Sequence, residues 1–153
     1  MALAFYFHAA RPNILDENSP FSELLNDVLD GDDEFRNSRF KLIPSVVEGS
    51  FIIKQSTGSK PALIGKKLKC PYFRGVNYFE MDIDIASNSV ANTVVGMARG
   101  VTKSLVVDIA YLFESQNEEE LPETILGAVR LQKVSLDNPV RIPRKTTSKT
   151  TKS

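Results

Sequence analysis

Three carboxylates alternate at Glu80, Asp82 and Asp84, close behind Lys66, Lys67, Lys69 and the single cysteine, in the run KKLKCPYFRGVNYFEMDIDI at residues 66–85. Acids two apart on a strand share a face, where their oxygens could bind a divalent metal or serve hydrolysis. Lysines facing those acids would compete for the same oxygens, so this pattern favours opposed charge pairs over a metal centre. Asp108, inside SLVVDIAYLF, is costly to bury alone and calls for a cationic partner. Arg36, Arg39 or Arg130 could supply it as a structural ion pair, with a catalytic acid as the sharper alternative. The acidic DGDDE at residues 30–34 lacks the ligand spacing of a calcium loop and reads as a solvated turn. GMARGVTKS does not fit the spacing of a phosphate loop. His8, the lone histidine, accompanies no nucleophile or metalloprotease motif, and Cys70 reads as a small core residue. No metal and no cofactor are expected.

The elements that must hold these residues follow from periodicity and punctuation. ALAFYFHA reads as an opening strand. Ser19 and then Pro20 start an amphipathic helix carrying Phe21, Leu24, Leu25, Val28 and Leu29, which ends at Gly31. RFKLIP and SFIIKQS look like strands, TGSK like a turn and PALIG like a return strand. Gly75 in RGVN is placed as the first residue of a two-residue hairpin turn. That register sets Tyr72 against Phe79, Cys70 against Met81 and Leu68 against Ile83 on an apolar face. Its other face sets Phe73 against Tyr78, Lys69 against Asp82 and Lys67 against Asp84. From residue 88 to about 114, Val90, Val94, Met97, Val101, Leu105, Ile109 and Leu112 follow a helical period, predicting one long helix of roughly 40 Å with Asp108 at the edge of its stripe. NEEELPETILG reads as a short acidic helix and AVRLQKVSL as a final strand. The fold class is α+β, a mainly antiparallel β-sheet packed against one long α-helix, with short flanking helices.

A chain of 153 residues suits one domain with a real core. Its formal charge is zero, but residues 141–153 hold five basic side chains and no acid, leaving a net of minus five on the rest. We therefore expect a domain at residues 1–140 and a disordered basic tail, RIPRKTTSKTTKS, at 141–153. The acidic body excludes a basic stripe for nucleic acid. One cysteine suits a reducing compartment, and the start MALAFYFHAARP lacks the basic region of a signal peptide. The most apolar region, residues 85–113, is interrupted by Arg99, Lys103 and Asp108, so no transmembrane span is expected.

The ordered series SRFKLIP, VVEG, GKKLKC, YFRG, DIDI, SLVVD and ELPE closely resembles the C-terminal domain of the plant Enhanced Disease Resistance Two proteins, over about residues 3–138. The resemblance implies a plant regulatory protein: longer members restrain defence-associated cell death, sit at endomembranes and are not known as enzymes. In them this domain follows a pleckstrin-homology and a START lipid-binding domain, so this chain would be a stand-alone or truncated form. Two local departures stand out. Phe51 replaces the family's usual tryptophan, and Arg99 and Lys103 interrupt a normally apolar stretch.

The resulting expectation is a non-catalytic regulatory module, cytoplasmic, and peripheral on endomembranes or the plasma membrane. Candidate contacts for an anionic lipid or membrane surface are Arg99 and Lys103 on one helix side, Arg74 at the hairpin tip, and Arg141, Arg144, Lys145, Lys149 and Lys152 in the tail. Lys67 and Lys69 are weaker candidates, because the hairpin gives them carboxylate partners. A protein-interaction module without lipid affinity is the alternative. A hydrolase using Asp108 or the Glu80, Asp82 and Asp84 carboxylates is the third reading.

Overall fold

Ser19 starts the first helix as its sequence predicts. Its hydroxyl oxygen accepts from the Ser22 N–H at 3.1 Å, and Pro20 opens α1 (Pro20–Asp30). The computed structural model describes residues 4–8, 19–57 and 60–137. The acids after Gly31 do more than solvate a turn: the Asp32 carboxylate accepts from the Phe35 N–H at 2.8 Å and caps α2 (Asp33–Arg39). With only seven residues, α2 is too short to show a period.

β1 (Phe40–Glu48) crosses the middle of a four-stranded sheet with the order β2-β1-β5-β6, in which β2 is Ala62–Leu63, β5 is Val106–Phe113 and β6 is Ile125–Gln132. All three pairings are antiparallel. A separate hairpin joins β3 (Tyr72–Arg74) to β4 (Phe79–Met81). The class is therefore α+β, as expected, but its helices are short.

The long helix is replaced by three elements. α4 (Ser89–Arg99) stops at Gly100, a 3-10 turn spans Thr102–Ser104, and β5 follows. β5 is flanked by strands on both sides, and Val106, Tyr111, Leu112 and Phe113 are all buried. At the end of β5 the consecutive Tyr111, Leu112 and Phe113 are buried on both faces, so the alternation is lost there and the apolar run mimics a helical stripe. SFIIKQS is also a helix, α3 (Phe51–Thr57): after a bulge between Val46 and Glu48 the β1 ladder ends at Glu48 opposite Val106, the first residue of β5, so the next residues have no strand to join. The acidic helix shrinks to a 3-10 turn at Glu118–Glu120, because Pro122 disfavours helical backbone just before it, and ILG belongs to β6. Residues 4–8 form no ladder despite their strand-like pattern. Phe5 and Phe7 instead set their rings against Tyr111, at 6.4 and 6.3 Å between centroids. A Cβ on Gly127 would meet the Phe7 ring at 2.6 Å, so glycine admits that cover. The expected TGSK turn includes residues 58–59, which lie outside the described residues.

The hairpin keeps its faces and changes its register. Arg74 pairs with Phe79, Phe73 with Glu80 and Tyr72 with Met81, while Lys69 bridges to Asp84 in place of Asp82. The loop is longer than the expected two residues, and the Gly75 N–H donates to the Tyr78 carbonyl at 3.0 Å across it. The slip is an even number, so every side chain stays on its predicted side. Cys70 is buried, and Leu68, Tyr72, Met81 and Ile83 pack against the core that it joins with Leu24, Val28, Phe40, Ile64, Tyr111 and Phe113.

Candidate functional site

Most of the arginines near the core serve the fold. Arg36 donates from Nε to the Val28 carbonyl at 2.9 Å and from Nη2 to the Leu29 carbonyl at 3.1 Å, satisfying the open end of α1. Its guanidinium also lies over Tyr72 and Phe79, 5.5 and 5.2 Å from their centroids, which fastens the hairpin to that helix. Arg74 completes the clasp: it donates to the Leu29 carbonyl at 2.8 Å and pairs with Asp30. The Tyr72 hydroxyl donates to Asn37 at 2.9 Å. Arg39 is buried, stacks on Phe35 and pairs with Glu120 at 2.7 Å, anchoring the β5–β6 connection.

Asp108 corrects one expectation and meets another. It lies on β5 directly across from Arg130 of β6, and two contacts of 2.6 Å join carboxylate to guanidinium. The arginine partner is as anticipated, but the pair is part-exposed instead of buried, since Asp108 shares the open face of the sheet with Ser45. The hydrogen bond from Arg130 is the main reason that its carboxyl titrates below the ordinary range. The other acids are also placed. Asp84 accepts from the Ala86 N–H at 3.1 Å and caps a 3-10 turn, while Glu80 faces Phe73. Among the described residues, no group of three or more His, Cys, Asp or Glu could hold a metal. Burial pushes the Cys70 thiol up to about 11, so little thiolate exists at neutral pH.

A shallow, open cavity of about 360 Å³ lies at the β2 edge, lined by Lys41, Pro61, Ala62, Leu63, Lys66, Lys67 and Glu114. Lys41 pairs with Glu114 at 2.9 Å and Glu123 at 2.6 Å. Burial pulls its ammonium down, but hydrogen bonds to those glutamates outweigh this and hold it above the ordinary lysine value. The lining thus holds three lysines and one acid, Glu114, which is already paired with Lys41.

A different surface gathers charge of one sign. Residues 49–79 contain Lys54, Lys60, Lys66, Lys67, Lys69 and Arg74 without one acid, and residues 85–107 contain Arg99 and Lys103 without one acid. The structure packs α3 and α4, drawn from these two segments, against each other. No residue of α4 is buried, and Val90 is 71% exposed. Phe51 on α3 is 77% exposed, and Val95 and Met97 on α4 are also exposed. Arg99 closes α4 with no ion-pair partner among the described residues, while Lys103 holds Asp137 at 2.6 Å in an exposed pair. Sequence reasoning singled out Arg99 and Lys103 but missed the apolar surface beside them, because it placed Phe51 in a strand and α4 in a long packed helix. The absence of acid over residues 49–79 was the available signal. Lys67 is exposed, and Lys69 is exposed opposite Asp84. The tail candidates Arg141, Arg144, Lys145, Lys149 and Lys152 lie outside the described residues.

Among the described residues, no helix is long and apolar enough to cross a membrane. Residues 1–135 match the family described as Protein ENHANCED DISEASE RESISTANCE 2, C-terminal. A relative from Arabidopsis thaliana, Protein ENHANCED DISEASE RESISTANCE 2-like, is 48% identical over 139 residues, which are 91% of this chain and 18% of the relative. The chain therefore spans less than a fifth of that protein's length. No solved structure matches. The family match and the identity together establish that this chain belongs to the Enhanced Disease Resistance Two C-terminal family.

Proposed function

We propose that this chain is a non-catalytic regulatory domain, in plant defence or cell-death control, that attaches reversibly to anionic membrane surfaces in the cytoplasm. The observation that carries this reading is the α3–α4 layer, whose two helices hold no acid but carry Lys54, Arg99 and exposed apolar side chains. The relative's printed name supports the defence setting. Each basic residue near an anionic leaflet contributes about 1 kcal/mol, so Arg99, Lys103 and a basic tail at 141–153 suffice for salt-sensitive attachment. Sedimentation with phosphatidylserine vesicles tests it. The protein is expected to pellet at low ionic strength, to release as salt shortens the Debye length, and to bind less after Arg99→Gln with Lys103→Gln or removal of residues 141–153. Absence of binding at low salt would overturn the proposal in favour of a protein-interaction module. The exposed hairpin tip, with Phe73, Val76 and Tyr78, supports that second reading.

A further inference from the structure

We infer that α3 and α4 form a membrane-entering face, whose apolar side chains sink into the lipid interface beneath the charged headgroups. The inference rests on the membrane-attachment reading and goes further, since attachment by charge alone leaves these side chains in water.

An amphipathic helix on a folded domain ordinarily buries its apolar stripe against the core. α4 does so only in part: of its eleven residues Ala91, Val94 and Ala98 are half-buried and none is fully buried, and open space surrounds the place where a side chain on Gly96 would stand. Phe51 adds a nearly uncovered aromatic ring on the adjoining α3. Several large apolar groups on one exposed layer call for an occupant. Charge selects it. Neither helix carries an acid, Lys54 lies in the last turn of α3 and Arg99 in the last turn of α4, whereas residues 1–140 carry a net of minus five. An acid-free layer that carries both cationic and exposed apolar side chains complements a surface that is anionic above and hydrocarbon below, the composition by which interfacial helices lie in a bilayer plane. The hairpin tip is a weaker candidate: its apolar residues stand beside acids, with Arg74 already paired to Asp30.

The sequence has no tryptophan, so Phe51→Trp in the full chain introduces a single reporter at an exposed position. Mixed phosphatidylserine and phosphatidylcholine vesicles should shift its emission to the blue, and shallow-brominated phosphatidylcholine should quench it about twofold or more relative to unbrominated lipid. Val90→Asp in the same background should weaken vesicle partitioning by roughly tenfold while leaving the circular dichroism spectrum unchanged. Sedimentation with vesicles without a shift or bromine quenching would overturn insertion while sparing attachment by charge. A blue shift that follows protein concentration without vesicles would assign the face to self-association and also overturn insertion. No sedimentation at all would remove both readings. Equal partitioning of the parent and a folded Val90→Asp variant would overturn the role given to α4.

Discussion

The two sides of this domain use the same residue types in opposite ways. Under α1, α2 and the hairpin, apolar side chains close around Phe40, which is 1% exposed, and Arg36, Arg39 and Arg74 hold carbonyls, rings or carboxylates. In the α3–α4 layer, phenylalanine, valine and methionine are uncovered, and Arg99 has no carboxylate partner among the described residues. Burial and pairing make the first side a scaffold. Their lack on the second leaves free energy that folding has not used and that a partner surface can supply.

Matched truncations give the largest contrast. Phe40→Ala should cost about 4 kcal/mol, through lost transfer energy and the cavity left behind. Val90→Ala should stay within about 0.5 kcal/mol, because its side chain is already in water and alanine favours the helix. Chemical denaturation of both variants measures the difference, and a large loss at Val90 would break the comparison. Next in size is Glu120→Ala, expected to cost about 3 kcal/mol by leaving the buried Arg39 charge without its carboxylate. Nε and Nη1 of Arg39 already lack partners among the described residues, so no nearby group can compensate. Ser19→Ala, which removes the α1 cap, should lower stability by about 1 kcal/mol in the same assay.

The smallest effect is expected at Arg130→Ala, below that of the cap, since both members of the Asp108 pair are substantially exposed. Its pH signature fixes the sign. Arg130 depresses the folded-state pKa of Asp108, so the pair's contribution is fully present above the unfolded value of about 4 and fades as pH falls through the lower folded value. Parent and Arg130→Ala melting curves should therefore converge on acidification below about pH 4. A gap that widens there would contradict the pairing.

Local rules were legible wherever a feature is made by residues close in sequence. Ser19 and Pro20 announce α1 because a cap needs only its own first turn, and the period-two faces of the hairpin survive a register slip because the slip is even. An arginine partner for Asp108 was expected from the cost of burying a lone carboxylate, and the partner is present although the pair is exposed. Which arginine, and how deep, depended on the pairing of β5 with β6, which no local pattern specifies. Two misread segments, residues 51–57 and 105–113, have ambiguous local patterns that their neighbours resolve. Seven residues beginning FIIK become a helix because the β1 ladder has ended at Glu48, and an apolar run becomes a strand because ladders wait on both sides. The exposed layer shares that origin. Composition shows valines and an acid-free stretch, but whether a valine is covered is a property of what packs against it, and only the tertiary arrangement half-buries Val94 while leaving Val90 exposed.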